Sequence, residues 1–160
     1  MICKKIDECF FKNGYCNNKT NDCAVVLFNK LIVCKENNSA YILLNSKEEK
    51  VLKVCIDGKA IDDKNVLKCD YAIVYKRLKY EVIFIELKGH DFYHALDQIS
   101  RMVEMYFDIF IKIHGRIICS SGTRFNLASN KAIQLKKLLF KKNGSLVVKN
   151  KEIHEDLALL

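Results

Sequence analysis

The first half of the chain alternates short apolar runs with polar turn residues, which is a pattern typical of β-strands. Its runs predict six strands: Ala24 to Leu27, Lys30 to Cys34, Ala40 to Leu44, Val51 to Ile56, Asp70 to Tyr75 and Glu81 to Leu87. The first four are expected to form an antiparallel meander, with Asn29 as one of the turn residues. The basic stretch Lys76-Arg77-Leu78-Lys79 separates the last two, which are therefore expected to pair as a hairpin.

After Gly89 the spacing of apolar residues changes from two to about 3.6, which indicates an amphipathic helix. We predict this helix from about residue 91 to about residue 112. Its apolar stripe consists of Phe92, Ala95, Leu96, Ile99, Met102, Val103, Tyr106 and Phe110. The remaining predicted elements are a strand at Arg116 to Cys119, a Lys-rich helix over about 128 to 142, a strand at Ser145 to Lys149 and a short tail helix.

These elements predict an α/β fold, and nothing along the 160 residues marks a second domain. The chain has no proline, no low-complexity linker and no internal repeat. We therefore expect a single domain over residues 24–160, with a cysteine-containing N-terminal segment over residues 1–23 packed on it. Within that segment, residues 4 to 12 carry apolar side chains at helical spacing and predict a short helix.

Net charge bears on the partner more than on the fold. There are 27 lysines and arginines against 19 aspartates and glutamates, which gives a formal net charge of +8. This excess favours a polyanionic partner such as nucleic acid, although lysine also serves solubility. No apolar run approaches the ~20 residues of a membrane span and no signal-peptide core follows Met1. A soluble, cytoplasmic protein without a membrane partner is therefore expected.

In such a compartment the eight cysteines are expected to be thiols. Four lie in or beside apolar stretches and are expected in the core: Cys34, Cys55, Cys69 and Cys119. The other four punctuate the polar N-terminal segment: Cys3, Cys9, Cys16 and Cys23. Their gaps of five, six and six residues match no paired C-x-x-C spacing for zinc or iron–sulfur clusters. Incidental or core thiols are therefore favoured over a metal site.

The main chemical signal lies in the run that ends Glu86-Leu87-Lys88-Gly89. Glu86 and Lys88 are two residues apart on a strand, so alternation directs both side chains to one face. If the turn of the hairpin is centred on Leu78, Asp70 lies directly opposite Glu86, with the two Cβ atoms about 5 Å apart. Two carboxylates that close repel each other unless a divalent cation or a proton lies between them.

This set of residues suits metal-assisted hydrolysis of a phosphodiester. Mg²⁺ is bound by a few carboxylate oxygens, keeps several waters and accepts phosphate oxygens of a substrate. Asp70 and Glu86 are the candidate metal ligands, and the backbone carbonyl of Leu87 is a candidate further ligand. Lys88 could position or help to deprotonate the attacking water and stabilise the transition state.

Cys69-Asp70-Tyr71, a hairpin, Glu86-Leu87-Lys88-Gly89 and an amphipathic helix together resemble the PD-(D/E)xK superfamily of restriction-endonuclease-like nucleases. The resemblance covers about residues 50 to 120, and the segment from Glu86 to Gln98 is similar to small bacterial members of unassigned role. It implies a restriction-endonuclease-like core, in which a mixed β-sheet with antiparallel hairpins is flanked by helices. It also implies Mg²⁺ or Mn²⁺ as cofactor, cleavage of nucleic acid, and a supporting active-site role for Gln98, since some members place a glutamine on that helix.

Two positions depart from the pattern of the superfamily, and one further part of the pattern is left open. Cys69 precedes Asp70 where the motif has proline, a change that the superfamily tolerates. Met102 stands where exonuclease-type members have a tyrosine, so exonuclease processivity is not supported. A further acidic residue often comes from an N-terminal helix, and Glu8 and Glu36 are the alternatives for it.

Several polar residues near the motif have both a structural and a functional interpretation. Asp57 is expected in a turn rather than as a metal ligand. Asp91 is expected to cap the helix, while His90 and His94 could contact phosphate or metal. Gln98 and Arg101 belong either to a polar stripe that faces the cleft or to an ordinary solvent face. Further candidates for phosphate contact, of which the lysines more commonly form a solvated face, are Ser120, Ser121, Thr123, Arg124, Lys131, Lys136, Lys137, Lys141 and Lys142.

The sequence thus predicts a metal-dependent nuclease that acts on DNA through Asp70, Glu86, Lys88 and Gln98. The alternative is a catalytically inactive, nuclease-like module that binds nucleic acid or protein. A third option is a resolvase that acts on branched DNA, which would need two sites in a dimer. Because the domain is small and carries no attached recognition domain, any specificity is expected to come from a homodimer or a partner subunit.

Overall fold

The computed structural model describes residues 23–61 and 63–160. Its elements are β1 (Ala24–Leu27), β2 (Leu31–Glu36), β3 (Ser39–Leu44), β4 (Val51–Cys55), β5 (Tyr71–Lys76), β6 (Tyr80–Lys88), α1 (Phe92–Tyr106), β7 (Lys112–Cys119), α2 (Asn130–Phe140), β8 (Leu146–Asn150), β9 (Glu152–Asp156) and a 3-10 turn (Leu157–Leu159). The helix predicted over residues 4 to 12 lies outside the described residues, as do Cys3, Glu8, Cys9 and Cys16.

The strands form two sheets. The main sheet has the order β1-β4-β5-β6-β7-β8. Its strands β1, β4, β5 and β6 pair antiparallel, whereas β6, β7 and β8 are parallel and are connected by α1 and α2. The smaller sheet has the order β2-β3-β9, in which β3 and β9 are parallel. The predicted α/β class with a mixed sheet is therefore confirmed.

Strand β6 lies in the middle layer of the molecule because different elements cover its two faces. Val82 and Phe84 belong to the core shared with α1 and α2, whereas Ile83 and Ile85 belong to the core shared with the smaller sheet. A strand covered on both faces is apolar at nearly every position, which explains the uninterrupted apolar run over residues 82–85 of β6. Among the described residues, no helix has both the length and the apolar character needed to cross a bilayer.

The predicted antiparallel meander of the first four strands is wrong. Strand β1 pairs with β4, with Ala24 opposite Val54, while β2 and β3 form a hairpin in the smaller sheet. Alternation within a strand indicates which face is buried but not which strand lies beside it, so the sequence pattern could not separate the two sheets.

The ends of two predicted elements also differ from the structure. The expected tail helix is replaced by strand β9, which pairs with β3, and by the short 3-10 turn. Helix α1 ends at Tyr106 rather than near residue 112. Phe110 is nevertheless buried, because the turn that follows the helix returns it to the core. The spacing of apolar residues therefore predicted correctly that Phe110 is buried, but not that its backbone lies outside the helix.

The cysteines predicted in the core follow that prediction with one exception. Cys34, Cys69 and Cys119 are buried, while Cys55 is only partly buried. Cys23 is also partly buried, and its backbone carbonyl accepts a hydrogen bond from the backbone N–H of Cys55 over 2.7 Å. All five are free thiols.

Arg116 of β7 joins the two sheets through an ion pair with Glu155 of β9. The Arg116 side chain is 1% exposed, and its Nε donates to Oε2 of Glu155 over 2.6 Å. Its Nη1 donates to the backbone carbonyls of Gly115 and Ser145. The hydroxyl of Tyr41 in β3 donates to the same Glu155 oxygen over 2.8 Å. Because the guanidinium is removed from water, it depends on Glu155 for its counter-charge.

Replacing Glu155 with alanine should lower the free energy of unfolding by about 3 kcal/mol, because it leaves the guanidinium of Arg116 buried and uncompensated. Urea unfolding followed by circular dichroism measures the change. The matched control is Glu152→Ala on the same strand, whose side chain is 57% exposed and pairs with the exposed His154. The control should cost less than about 1 kcal/mol. Equal destabilisation by both variants would contradict the role assigned to the ion pair.

Candidate active site

The hairpin of β5 and β6 brings Asp70 opposite Glu86. Its register runs from Lys76 opposite Tyr80 to Tyr71 opposite Ile85, which confirms the predicted turn centred on Leu78. Asp70 directly precedes β5, so the same register aligns it with Glu86. The pairing of the two backbones changes there, because the N–H of Leu87 donates over 2.6 Å to Oδ2 of Asp70 rather than to a backbone carbonyl.

Glu86 is a buried carboxylate on the face of β6 that packs against the helices. Only 1% of its side chain is exposed, and it follows Val82 and Phe84 on that face. Its Oε1 lies 3.2 Å from Nζ of Lys88. Its Oε2 is buried and has no hydrogen-bond partner within the described residues. One oxygen of this buried carboxylate is therefore left without a donor or a cation.

Lys88 is oriented by a chain of hydrogen bonds that begins on α1. Its Nζ donates over 2.8 Å to Oε1 of Gln98, and Nε2 of Gln98 donates over 2.6 Å to the backbone carbonyl of Lys68. Gln98 is itself buried. With both of its amide atoms bonded, Gln98 holds the ammonium group of Lys88 beside Glu86. The structure thus brings together the four predicted site residues, Asp70, Glu86, Lys88 and Gln98.

The contact with Lys68 was not predicted from the sequence. It uses the backbone carbonyl of Lys68, so the residue type gives no signal for it. The Lys68 side chain is also buried, where its Nζ donates to the carbonyl of Asp63 over 2.7 Å and lies 3.3 Å from Oδ1 of Asp57. Both ends of Lys68 therefore fix the loop that precedes Asp70.

Burial and nearby negative charges disfavour the charged forms of both carboxyl groups. Burial, followed by the charge of Asp70, raises the pKa of Glu86 to about 8, against the lowering effect of Lys88. Burial also raises the pKa of Asp70 to about 6, with further increases from the charges of Glu36 and Asp57. The Leu87 N–H and Lys88 lower the pKa of Asp70 but do not offset its burial.

Two further acidic residues lie close enough to influence Asp70. Glu36 ends strand β2, so of the two alternatives for an additional acid it is the one that the structure describes near the site. Asp57 precedes Gly58, whose φ of +70° suits a tight turn, and the predicted turn is thus confirmed. The side chain of Asp57 pairs with Lys68, which gives it a structural role.

The donor set fits a hard divalent cation that retains water. The unpartnered oxygen of Glu86 and the second oxygen of Asp70 are the kind of ligand that Mg²⁺ prefers, and Mg²⁺ needs only one or two carboxylates from a protein. A protein-only cage is not found, since the described residues contain no group of three or more His, Cys, Asp or Glu side chains that could hold a metal ion. The role of the Leu87 carbonyl as a ligand stays a prediction.

The polar residues at the start of α1 separate into structural and exposed groups. Asp91 caps the helix as predicted, since its Oδ1 accepts from the backbone N–H of His94 over 2.9 Å. The side chain of His94 is exposed, and Arg101 pairs with Glu104 on the helix surface. Gln98 alone among these predicted stripe residues is directed into the site. The alternative of a polar stripe facing the cleft is therefore wrong for Arg101.

His90 is held at the rim by the loop that follows β7. Its Nδ1 lies 3.0 Å from Oγ1 of Thr123. The Thr123 hydroxyl in turn donates to the carbonyl of Gly89 over 3.3 Å, and the backbone N–H of Ser120 donates to the same carbonyl over 2.9 Å. The loop predicted as a phosphate contact therefore closes on the end of β6, next to Lys88.

Comparison with known proteins does not assign the chain to a family. No protein-family model matches the chain, and neither curated proteins nor solved structures give a match. The interpretation of the site therefore depends on its own atoms.

The raised pKa values of Glu86 and Asp70 make stability depend on pH. Above their ordinary pKa values of 4.5 and 3.8 the unfolded chain loses these protons, while the folded protein keeps them until pH nears 8 and 6. The folded state then binds more protons, so the free energy of unfolding should fall, by about 5 kcal/mol, as pH rises from about 5 to about 8. Urea unfolding at each pH, in the presence of chelator, measures this change in the free energy of unfolding.

Glu86→Gln removes the group with the larger shift and should flatten this pH dependence. The matched control is Glu104→Gln, an exposed glutamate on the surface of α1, which should keep the slope of the unmodified protein. Excess Mg²⁺ should restore stability at pH 8 in the unmodified protein but not in Glu86→Gln. Identical slopes for all three proteins would argue against a buried, uncompensated Glu86.

Proposed function

We propose that the protein is a metal-dependent nuclease that hydrolyses phosphodiester bonds in DNA. The observation that carries the proposal is the buried, unpartnered Oε2 of Glu86, opposite Asp70 and beside Lys88. A buried carboxylate is costly unless something compensates its charge. Because a second carboxylate lies opposite, a divalent cation is a better compensation than the single ammonium group of Lys88.

Each residue of the site would have a separate task. Asp70 and Glu86 would hold Mg²⁺ or Mn²⁺, with the carbonyl of Leu87 as a further ligand. When bound, such an ion activates water and neutralises charge that develops on the phosphorane. Lys88 is 24% exposed at its side chain, so its Nζ can reach both Glu86 and a water or phosphate at the surface of the site. Gln98 would keep Lys88 in that position.

The reaction follows from this arrangement. The water oxygen forms a bond to phosphorus, the bond from phosphorus to the leaving oxygen breaks, and the proton of the water reaches the leaving oxygen through solvent. Lys88 can orient the water and donate to a phosphate oxygen as negative charge grows there. The proposed catalytic contribution of the protein is thus placement and charge compensation rather than a covalent intermediate.

The order of elements supports a restriction-endonuclease-like core for the domain. Strand β4, the hairpin of β5 and β6, helix α1 and strand β7 follow one another as in the PD-(D/E)xK core, with β7 parallel to β6. The net charge of +8 supports a polyanionic substrate. We propose DNA as that substrate, with a homodimer or partner subunit as the source of any specificity.

A second candidate is a catalytically inactive module that keeps this fold and binds nucleic acid or protein. It is favoured by one observation, which is that burial and the charge of Asp70 raise the pKa of Glu86 to about 8. The raised pKa of Glu86 would then reflect a carboxyl group that stays protonated in the folded protein.

Lys88→Ala should abolish metal-dependent cleavage while the fold is retained. Among the described residues, Lys88 is the only one whose cationic group contacts Glu86, and the substitution removes that group. The assay incubates plasmid, linear duplex and single-stranded DNA with Mg²⁺, Mn²⁺ or chelator. Lys79→Ala, in the exposed turn of the same hairpin, is the matched control and should cut normally. Unchanged cleavage by Lys88→Ala would refute the assignment, and binding without cleavage by the unmodified protein would favour the inactive module.

Gln98→Ala should lower kcat about 10- to 100-fold, the range typical of residues that orient a metal ligand or catalytic group. Lys88 would lose its acceptor but remain present, so residual cleavage should exceed that of Lys88→Ala. Steady-state kinetics at saturating Mg²⁺ measures the effect. Gln134→Ala, at an exposed glutamine of α2, is the control. A kcat equal to that of the control would show that the Gln98 contact is only structural.

A further inference from the structure

The positive charge of the chain is concentrated in one segment. Residues 109–151 contain no aspartate or glutamate but carry ten basic residues: Lys112, Arg116, Arg124, Lys131, Lys136, Lys137, Lys141, Lys142, Lys149 and Lys151. Since the whole chain has a net charge of +8, the remainder is slightly acidic. The segment includes α2 and is the part of the molecule to which a polyanion would be drawn.

Some of these charges are already used within the protein. Arg116 is paired in the core, Lys131 forms an ion pair with α1, and Lys142 lies over an aromatic ring at 4.2 Å. By contrast, Nζ of Lys137 and Nζ of Lys141 have no ion-pair or hydrogen-bond partner in the part of the chain that the structure describes. These two ammonium groups are free to bind an external anion.

Lys137 and Lys141 lie on the outward face of α2 around an exposed aromatic ring. Phe140 is 80% exposed at the C-terminal end of the helix. Together with Lys136, the three residues line an open groove of about 470 Å³. The carbonyl of Leu127 accepts from Nζ of Lys136 over 3.1 Å and so holds one side of the groove. The helix packs on the core through Ala132, Leu135 and Leu139, so Phe140 is not needed for that packing.

The groove is remote from Glu86. The start of β7 lies beside the end of α2, because the N–H of Ile113 donates to the carbonyl of Lys142. The end of β7 lies beside Gly89, whose carbonyl accepts from Ser120. The C-terminal end of α2, which carries Phe140 and Lys141, therefore lies at the opposite end of β7 from Gly89 and the candidate active site. A role for the groove goes beyond the proposed nuclease reaction and does not depend on it.

We propose that the groove formed by Lys136, Lys137, Phe140 and Lys141 binds single-stranded nucleic acid. One base would stack on the ring of Phe140, and the lysines would contact the flanking phosphates. A duplex keeps its base faces within its own stack, so it could use the lysines but not the ring. An acidic peptide would also use only the lysines. An exposed ring among cations fits a ligand that alternates planar bases with anionic groups.

The test measures binding of the full chain to a fluorescein-labelled oligothymidine of about 20 nucleotides by anisotropy, in chelator so that no cleavage occurs. Phe140→Ala should raise the Kd for this strand about tenfold, which is the usual effect of losing one stacked base, and leave the Kd for a duplex unchanged. Phe140→Trp should bind as tightly as the unmodified protein. Because Phe140 is a surface residue, both variants should unfold at the Tm of the unmodified protein.

A charge-matched pair of variants tests the lysines. Lys137→Gln with Lys141→Gln should reduce the dependence of log K on log salt by about 1.4, since each phosphate contact with a single strand contributes about 0.7. Lys47→Gln with Lys79→Gln removes the same charge from exposed positions outside residues 109–151 and should keep the original salt dependence.

Three results would overturn the proposal. The first is an unchanged Kd in Phe140→Ala, and the second is an equal effect of the two double variants. The third is tighter binding of a labelled acidic peptide that the same groove variants abolish, which would assign the surface to a protein partner. Loss of cleavage in Lys88→Ala with intact strand binding would leave this proposal standing, so the two proposals fail separately.

Discussion

Strand β6 is enclosed on both faces yet ends in two charged side chains, and the burial of Glu86 is the constraint on which the candidate site depends. A carboxylate with 1% exposure must be protonated or compensated. Lys88 reaches one of its oxygens, and the other remains without a partner within the described residues. The carboxylate of Asp70 opposite adds a second negative charge, which raises the pKa of Glu86 further. The arrangement therefore needs either a proton on Glu86 or a cation between the two carboxylates, and the proposed nuclease would use the cation.

The parts of the site that follow from local geometry could be predicted from the sequence. A hairpin turn fixes which residues face each other, so the turn at Leu78 was sufficient to align Asp70 with Glu86. Alternation along β6 then directs Lys88 to the same face. The helical period assigned Gln98 to α1 but left its orientation open. Its partner is a backbone carbonyl in a loop, and such a contact has no signature in residue type.

The parts of the fold that depend on distant segments could not be predicted in the same way. Strand β9 pairs with β3 across more than a hundred residues, and its residue pattern is equally compatible with a helix. The core position of Arg116 is also invisible in the sequence, because an arginine inside a strand is ordinarily read as a surface residue. Only the pairing of β3 with β9 brings Glu155 and the hydroxyl of Tyr41 to it. Burial of that charge is thus a consequence of tertiary packing.

Negative and positive side chains are concentrated in different parts of the molecule: carboxyl groups lie near Lys88, and lysines lie around α2. When ionised, Asp70, Glu86 and Glu36 place negative charge at the end near Lys88, and without a cation they would repel a phosphate. Attraction of a polyanion must then come from another surface, and the acid-free segment around α2 is where the chain carries its excess lysines. A field set up at that distance can increase the rate of encounter with nucleic acid without neutralising the carboxylates that a metal needs. Under the proposed function, acidic and basic regions at opposite ends are therefore compatible requirements of one reaction on a phosphodiester.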